Sequence, residues 1–472
     1  MTAVSTELIS LSATELRAGY AAGEFRPDDV LEAVLARIAE REPQLNAFSE
    51  TEFDRARQRA RESADRWAAG TAGLLDGVPI TVKENIATVG SRLTAGTAAL
   101  ADAPPQTVDG PVVLLTDAQG AVRLGKTVMP DYGMLSAGVS SLHGITRSPW
   151  NPDWTVGGSS SGSAAAGAAR FGPLHLGSDI GGSVRLPATW TGLATLKPTF
   201  GIVPVDPPYM GRVIGPLART VDDVALAMQV LAAPDPLARD HTFTGPRDAE
   251  WADVTGRPLP DVAGLRVAVH TDAGCGMPTD PEVAAVVDAA AGLFEQAGAH
   301  VERIPPFATE ELLHQLDTFL RMRSWVDVKA LPVAQRDRVL PYIRDWVLGA
   351  ADLPGTAVMQ AYQGVQELRR ATVLGTEPFD VVLSPVAPVA AYAAEDCSPT
   401  NDPARAMAHI GFTAPYNFSE QPAASVNAGF TADGRPVGLQ LAARRYADVR
   451  LLQVARWFEQ ARPAAAKPVW PA

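Results

Sequence analysis

The stretch from 157 to 201 constrains the fold of this chain more than any other part of its sequence. It reads GGSSSGSAAAGAARFGPLHLGSDIGGSVRLPATWTGLATLKPTFG and is dense in glycine, serine and alanine. Flexible linkers share that composition, but they lack interleaved structure such as the Ala-rich helical segment at 163–170 and the apolar segments at 174–177 and 193–196. Small residues in a structured region let backbones approach one another, or a ligand, closely. We therefore predict that this Gly/Ser-rich block is the centre of the fold.

Around the block, the patterns alternate between strands and helices. Apolar, β-branched segments predict strands at 77–86, 121–127, 174–177, 264–270, 379–390 and the start of 435–461. Helical spacing of apolar residues predicts helices within 12–42, 53–69, 112–118, 163–170, 220–232, 280–298, most of 308–372 and the end of 435–461. Ser12 and Glu15 form a capping box at the first of these helices. Strands that alternate with helices predict an α/β protein built around a mixed sheet.

Composition and charge exclude several classes of function. Of 472 residues, 46% are hydrophobic and 20% charged, and the net charge of −13 comes without a cluster of lysine and arginine, so we expect no nucleic-acid partner. The N-terminus carries Glu7 and Glu15, and no apolar run reaches the roughly 18 to 20 residues that cross a bilayer, so we expect neither a signal peptide nor a membrane partner. Cys275 and Cys397 are too few for a disulfide framework, which predicts a cytoplasmic protein with both thiols in the core.

One motif points to a nucleotide but lacks the context that such a site needs. Residues 120–127 match the phosphate-loop pattern G-x-x-x-x-G-K-[ST]. A phosphate loop follows a strand and opens a helix, whereas here the apolar strand lies inside the motif and Pro130 follows it closely. We therefore predict a strand that ends at Lys126, and a nucleotide-dependent enzyme is the least favoured alternative.

The segment D-I-G-G-S-V-R (179–185) carries the chemistry that the residues best support. Backbone N–H groups of residues 180–183 could point into one concavity and hold an oxyanion, and Ser183 follows two glycines that leave it accessible. A serine hydroxyl needs a base, and none of the seven histidines lies in a recognisable active-site phrase. Lys83, in the apolar strand V-P-I-T-V-K, could serve if burial lowers its pKa, with a serine from 157–163 as a relay. A buried, ion-paired lysine is the structural alternative. No metal-ligand motif is present, so we expect no metal and no cofactor.

The same residues resemble the amidase signature family. The Gly/Ser-rich block, its Gly-Gly-Ser and the L-K-P-T-F-G that ends it are that family's hallmark, and the strand G-V-P-I-T-V-K-E-N (77–85) resembles the segment with the family's lysine. The resemblance implies that Lys83 is the general base, Ser159 the bridging serine and Ser183 the nucleophile. It also implies a cis peptide bond before Ser159. Two further sets follow from it: oxyanion-hole amides at Ile180, Gly181, Gly182 and Ser183, and structural support from Ser160, Asp179 and Arg185.

The resemblance also implies an architecture. It predicts one domain over 1–472, with a large mixed, mostly parallel central sheet covered by helices on both faces. The likeness is strong over about 65–205 and recognisable over 378–460, and we take these two parts together as the catalytic core. It is weak over 206–375, here called the variable region, which is largely helical over about 220–375 and is where we expect the substrate pocket to be built.

By position in the family pattern, the resemblance implies that Met134, Leu135, Trp190 and Tyr416 line the pocket, with ordinary core roles as the alternative. These side chains favour a substrate with an apolar or aromatic group. Many members carry an S-x-D-x-x-G-P phrase after the hallmark, whereas this chain has P-P-Y-M-G-R-V-I-G-P at 207–216, shortened and without the aspartate. That departure leaves the identity of the substrate open.

The function that the resemblance implies is hydrolysis of a carbon–nitrogen amide-type bond through an acyl-enzyme on Ser183. The expected substrate is a small amide, with carbamates (urethanes), hydrazides and esters as variants that place the same carbonyl before the nucleophile. We expect a monomer or homodimer. Two alternatives stay open: the glutaminase subunit of a tRNA-dependent amidotransferase, and a non-catalytic binding protein on the same scaffold.

Overall fold

The computed structural model describes residues 7–245 and 250–471. The helices are α1 (Ala13–Ala22), α2 (Pro27–Leu45), α3 (Phe53–Ala69), α4 (Pro111–Ala118), α5 (Ser161–Ala168), α6 (Arg185–Thr191), α7 (Val221–Leu231), α8 (Asp253–Gly256), α9 (Pro281–Gln296), α10 (Glu310–Ala330), α11 (Val333–Arg336), α12 (Pro341–Leu348), α13 (Gly355–Thr376), α14 (Ala414–Phe418) and α15 (Asp448–Ala461). The strands are β1 (Phe48–Thr51), β2 (Pro79–Lys83), β3 (Val122–Thr127), β4 (Val139–Ser140), β5 (Gly144–Ile145), β6 (Leu174–Asp179), β7 (Ala194–Lys197), β8 (Val213–Ala218), β9 (Arg266–Val269), β10 (His300–Arg303), β11 (Val381–Pro385), β12 (Ala423–Phe430) and β13 (Pro436–Ala442).

Each predicted element is present, with ends that differ by a few residues. The capping box at Ser12 is confirmed, because its hydroxyl accepts from the Glu15 N–H while the Glu15 carboxylate accepts from the Ser12 N–H. The phosphate-loop motif lies largely in strand β3, as predicted, and Lys126 Nζ donates to the Ile86 carbonyl at 2.8 Å. Strands β1, β4, β5, β8, β10 and β12 were not predicted, and β7 coincides with the apolar segment at 193–196, which was not assigned to a strand.

Eleven strands form one sheet, in the order β1-β3-β2-β6-β8-β7-β12-β13-β11-β9-β10. The expectation of a mostly parallel sheet is wrong: within the described chain, four neighbouring pairs are parallel and six are antiparallel. Strands β6 and β7 run in the same direction, but β8 inserts between them and runs against both. Strands β12 and β13 are joined by a turn too short for the crossover that parallel pairing needs.

Helices cover both faces of the sheet, as predicted. Side chains two positions apart in a strand point to the same face of the sheet. Ile80 and Val82 of β2 therefore belong to one apolar cluster, and Val122 and Leu124 of β3 belong to a second cluster. The first cluster includes residues of α4, α7, α9 and α15, and the second includes residues of α2, α5 and α6. A third cluster joins α10, α12 and α13 of the variable region to the loop at 134–137.

The Gly/Ser-rich block is the most enclosed part of the structure. It forms α5, β6, α6 and β7, and every one of its residues is buried except Ile180, Gly181 and Phe200, which are partly exposed. A Cβ atom on Gly158 would lie 2.6 Å from the carbonyl oxygen of Ala137, too close for any larger residue. The prediction that small residues mark the centre of the fold is confirmed, since backbone segments meet here with no room for side chains.

No helix of the described chain is long and apolar enough to cross a bilayer. Cys275 is buried, Cys397 is partly buried, and both are free thiols.

Candidate active site

Lys83 ends strand β2, and its ammonium nitrogen lies among serine hydroxyls. It is fully buried, and Nζ donates to Ser159 Oγ at 2.8 Å, Ser160 Oγ at 3.1 Å and Ser178 Oγ at 3.2 Å. All five residues of β2 are buried, and the strand pairs in parallel with β3 and β6 on its two sides. This pairing fixes the position of the Lys83 backbone at the end of the strand. The lysine is therefore held by neutral hydroxyls, and the buried ion pair considered as its structural alternative is absent among the described residues.

The surroundings favour the neutral amine. Burial, aided by the nearby positive charge of Arg212, lowers the pKa of Lys83 from 10.5 to about 7, although Asp179 and Glu84 oppose the shift. A lysine with that pKa is about half deprotonated near pH 7. It can therefore accept a proton at physiological pH, as a general base must.

Ser159 precedes helix α5, and the peptide bond between Gly158 and Ser159 is cis, as predicted. A Cβ on Gly133 would lie 3.2 Å from Ser159 Oγ, so a glycine at that position keeps the approach to this hydroxyl open. Ser160 links the strands around it: its N–H donates to the Ser183 carbonyl at 3.1 Å and its hydroxyl donates to the Ser178 carbonyl at 3.3 Å. These contacts fit the supporting role expected of Ser160.

Asp179 and Arg185 shape the loop that presents Ser183. Their side chains are fully buried and form an ion pair at 3.0 Å, and Asn417 donates to the same carboxylate at 2.8 Å. Burial alone would raise the pKa of Asp179, but Arg185 and Asn417 outweigh it and hold that pKa far below its usual range. The carboxylate also accepts from the N–H groups of Gly182 and Val184, on either side of Ser183.

This arrangement corrects the predicted oxyanion hole. The Gly182 N–H donates to Asp179 at 2.8 Å, so it is not free to bind an oxyanion, and its φ of 128° suits a glycine. Among the described residues, the N–H groups of Ile180, Gly181 and Ser183 have no protein acceptor. Three of the four predicted donors therefore remain.

Ser159 and Ser183 line the same cavity, which has a volume of about 60 Å³. Both hydroxyl-bearing residues are mostly buried, with exposed fractions of 3% and 8%. The hydrogen bond from Ser183 to Ser159 that a proton relay requires is not formed between these described residues. Lys83 and Ser159 are therefore in direct contact, whereas Ser159 and Ser183 share the cavity without a hydrogen bond between them.

Three of the four predicted pocket residues do not line this cavity. Met134 does, but Trp190 is fully buried, donates to the Val389 carbonyl and packs edge-to-face on Tyr392. Leu135 and Tyr416 are likewise core residues, with exposed fractions of 4% and 1%. Large apolar side chains at those positions belong to the core, and a position in the family pattern does not tell a core residue from a pocket wall.

Sequence reasoning missed most of the lining. The full set is Asn85, Tyr132, Gly133, Met134, Ser159, Ser178, Asp179, Ile180, Ser183, Arg212 and Arg323. The sequence contained a pattern that could have indicated two of these residues, Asn85 and Arg212. Asn85 ends the strand phrase around the lysine, and Arg212 stands where the family phrase D-x-x-G-P has its aspartate. Arg323 comes from helix α10 in the variable region and carried no signal. The pocket is consequently polar and cationic rather than apolar.

Other features of the described chain do not contribute to this site. A larger, open groove of about 1280 Å³ lies among the N-terminal helices and shares no residue with the serine cavity. No histidine lines the cavity, and no group of three or more His, Cys, Asp or Glu residues with metal-binding geometry occurs in the part of the chain that the structure describes.

Comparison with known proteins places the chain in a family. The family model described as Amidase matches residues 29–452. Two relatives share 34% identity with the chain. One is an acylamidase from Rhodococcus erythropolis, aligned over 97% of this chain and 96% of the relative. The other is a subunit of the glutamyl-tRNA(Gln) amidotransferase from Symbiobacterium thermophilum, aligned over 96% of this chain and 98% of the relative.

Solved structures agree with the sequence comparison. A bacterial aryl acylamidase of the amidase signature family superposes with a TM-score of 0.86 at 27% identity, covering 96% of each chain. A 6-aminohexanoate cyclic dimer hydrolase superposes at 0.84 with 26% identity, covering 98% of this chain and all of that one. The chain belongs to the amidase signature family, and as a member it is a hydrolase that acts on amides.

Proposed function

We propose that this protein hydrolyses a small amide through an acyl-enzyme on Ser183, with Ser159 as the proton relay and Lys83 as the general base. The observation that carries the proposal is the contact of 2.8 Å between Lys83 Nζ and Ser159 Oγ, made by a buried lysine whose pKa is about 7. A neutral amine accepts a hydrogen bond from a serine, so the same contact serves as a base when the lysine is deprotonated.

Acylation starts with attack of Ser183 Oγ on the substrate carbonyl carbon. Its proton passes to Ser159 Oγ, and the Ser159 proton passes to Lys83 Nζ. The negative charge that develops on the carbonyl oxygen is stabilised by the free N–H groups around Ser183. When the C–N bond breaks, Lys83 returns the proton through Ser159 to the leaving amine.

Deacylation repeats the relay with water as the nucleophile. Water attacks the acyl carbon, its proton passes through Ser159 to Lys83, and the proton then returns to Ser183 Oγ as the ester bond breaks. The products are a carboxylic acid and an amine. Neither half-reaction calls for a cofactor.

The relay can be tested with paired lysine variants. A fluorophosphonate should label the wild-type protein on Ser183, and both labelling and turnover of a panel of aryl amides should be lost in Ser183→Ala and nearly lost in Lys83→Met. The matched control is Lys126→Met, because Lys126 is also buried, with its pKa lowered by burial to about 8, yet it contacts a backbone carbonyl rather than a serine. Labelling that persists in Lys83→Met, or disappears equally in Lys126→Met, would overturn the proposed base.

The amidotransferase subunit is the second candidate, because relatives of that name match nearly the whole chain. Glutamine would bring an ammonium group, which needs an acidic partner in the pocket. Asp179, the one carboxylate among the described lining residues, is already paired with Arg185. We therefore favour a hydrolase that acts by itself as a monomer or homodimer. Glutaminase activity, or partner subunits that co-purify with the chain, would favour the amidotransferase.

The substrate class is tested with a panel. Aryl and alkyl amides, carbamates, hydrazides and esters present the same carbonyl to Ser183, so relative kcat/KM values rank them directly. A protein that binds these compounds, but neither turns them over nor reacts with the fluorophosphonate, would be a binding protein on an amidase scaffold.

A further inference from the structure

Two arginines from the variable region line the cavity that holds Ser183. Arg212 lies at the start of strand β8, and Arg323 lies in helix α10, more than 100 residues later in the chain. The fold brings them together with Ser159 and Ser183 around a space of about 60 Å³. Neither side chain takes part in the proposed proton transfers, and the effect of Arg212 on the pKa of Lys83 does not explain why a second arginine, Arg323, lines the cavity.

Neither guanidinium has a carboxylate partner within salt-bridge distance among the described residues. The Arg212 guanidinium donates to the backbone carbonyl of Asn85 at 3.5 Å. Arg323 stacks over the ring of Tyr209, 4.4 Å from its centroid, and touches the Met134 sulfur at 3.6 Å. These contacts orient the two cations without neutralising them.

The nearby carboxylates are engaged elsewhere or stand apart. Asp179 also lines the cavity, but it is paired with Arg185. Asp206 is paired with Arg239 at 3.2 Å. Asp327 lies one helical turn beyond Arg323, where their attraction opposes the rise in pKa that burial gives Asp327, but the two form no direct ion pair.

The two arginines also repel each other. Burial lowers the pKa of Arg212 to about 10, and the positive charge of Arg323 contributes to that shift. Like charges that face one small cavity are unfavourable unless an anion joins them. A bound carboxylate would satisfy both guanidinium groups, since their planar N–H donors match its two oxygens.

The charge at position 212 is a departure within the family. The phrase S-x-D-x-x-G-P has an acid where this chain has the arginine of R-V-I-G-P. An acid there would make this wall of the cavity negative, whereas the arginine makes it positive.

From these observations we infer, on the basis of the proposed function, that the substrate carries a carboxylate within a few bonds of the scissile carbonyl, bound by Arg212 and Arg323. The small cavity limits the spacer between the two groups, and a carboxylate is a small anionic group whose two oxygens match guanidinium donors. The substrate class is a short ω-carboxy amide rather than the apolar or aromatic amide that the sequence favoured. The carboxylate belongs to the substrate and takes no part in the bond changes.

Matched substrates test the inference through selectivity. Succinamate carries a carboxylate, and butyramide has the same carbon count with a methyl group in its place. Wild type should prefer succinamate in kcat/KM. Arg212→Gln and Arg323→Gln should each lower the succinamate-to-butyramide ratio by about 10- to 100-fold, the range of a hydrogen bond to a charged group. Arg212→Lys and Arg323→Lys, which keep the charge, should retain more of the ratio than the glutamine variants.

Arg370→Gln is the control, because Arg370 is an exposed arginine that contacts only Glu367 among the described residues, and it should leave the ratio unchanged. Thermal melting of every variant separates loss of the subsite from loss of the fold. A wild-type enzyme that hydrolyses butyramide as well as succinamate, or a ratio that survives both glutamine variants, would refute the anionic subsite while leaving the amidase function standing.

A binding measurement separates this inference from the proposed chemistry. Calorimetry should show that succinate binds the wild-type protein more tightly than its neutral diamide, succinamide, and that the difference vanishes in the Arg212→Gln/Arg323→Gln double variant. That result supports the subsite even if the protein turns over no amide. The absence of turnover would then contradict only the catalytic proposal. Equal binding of succinate and succinamide would overturn the subsite whatever the activity.

Discussion

The Gly/Ser-rich block and the variable region meet at one cavity, but they are built in different ways. In the block, nearly every residue is buried and the backbone itself sets the positions of Ser159 and Ser183. In the variable region, long helices leave large apolar side chains exposed, among them Val326, Val333, Leu348, Met359 and Leu374. A crowded backbone tolerates few changes, whereas a half-exposed helix can exchange side chains at little cost. We infer that the block fixes the chemistry and the variable region selects the substrate.

Arginines show the same contrast. Arg185, within the block, is fully buried and bonded to Asp179, Asn417 and Gln440. Arg323, from the variable region, has an aromatic ring and a sulfur but no carboxylate partner among the described residues. A buried cation whose donors are all satisfied serves the structure, whereas a cation left without a counter-charge at a cavity is available to a ligand.

The largest expected effect comes from removing the base or the nucleophile in the core. Lys83→Met and Ser183→Ala should each lower kcat by about 10³-fold or more, because the steps of the relay act as one unit. The double variant should be little worse than either single variant. Steady-state kinetics with purified proteins measures all three. Losses that multiply in the double variant would mean that the two residues act independently.

Removing a buried charge should distinguish the two regions by stability. Asp179→Asn leaves the Arg185 guanidinium buried without a counter-charge, and we expect a loss of about 3–5 kcal/mol in the free energy of unfolding. Asp288→Asn in the variable region breaks an exposed pair with Arg303 and should cost less than about 1 kcal/mol. Denaturant titration of both variants gives the comparison. Similar losses in the two would contradict the division of roles.

The pH dependence tests whether the variable region also tunes the core. Neutral Lys83 is the base, so kcat/KM should fall about tenfold per pH unit below the pKa near 7, as the amine becomes protonated. Arg212 favours the neutral amine, so Arg212→Gln should raise the pKa of Lys83 and move this acidic limb to higher pH. The pH profile of a neutral amide such as butyramide is the suitable readout. A limb that stays in place, or moves to lower pH, would show that Arg212 does not act on Lys83.

The smallest expected effect is at a helix end. Thr309 caps helix α10 by accepting from the Leu312 N–H, and Thr309→Ala should cost about 1 kcal/mol of stability. Ser12→Ala, at the capping box of α1, is the equivalent change outside the variable region. Thermal melting should show similar small losses, with kcat/KM changed by less than about twofold in both. A large loss of succinamate selectivity in Thr309→Ala would mean that the placement of Arg323 depends on the end of α10.

Much of the fold was predictable because local patterns carry it. Short stretches of sequence predict the strand that ends in Lys83, the helices around the sheet and the capping box at Ser12. Strand β8 was missed because Gly215 and Pro216 weaken its pattern, and Pro216 lacks the N–H that a central strand usually donates. Strand β8 inserts between β6 and β7 and forms two of the six antiparallel pairs, which the mostly parallel sheet implied by the resemblance did not include.

At the site, Lys83, Ser159 and Ser183 could be chosen as candidates from the amino-acid sequence alone, because their phrases are long and local. The other side chains that share their cavity became known from the folded chain. Trp190 and Tyr416 are core residues, and the Gly182 N–H donates to Asp179. Arg323, which also lines the cavity, lies in a helix distant in sequence. Backbone preferences act between neighbours in the chain, whereas the charge and shape of a cavity depend on elements that meet only after folding.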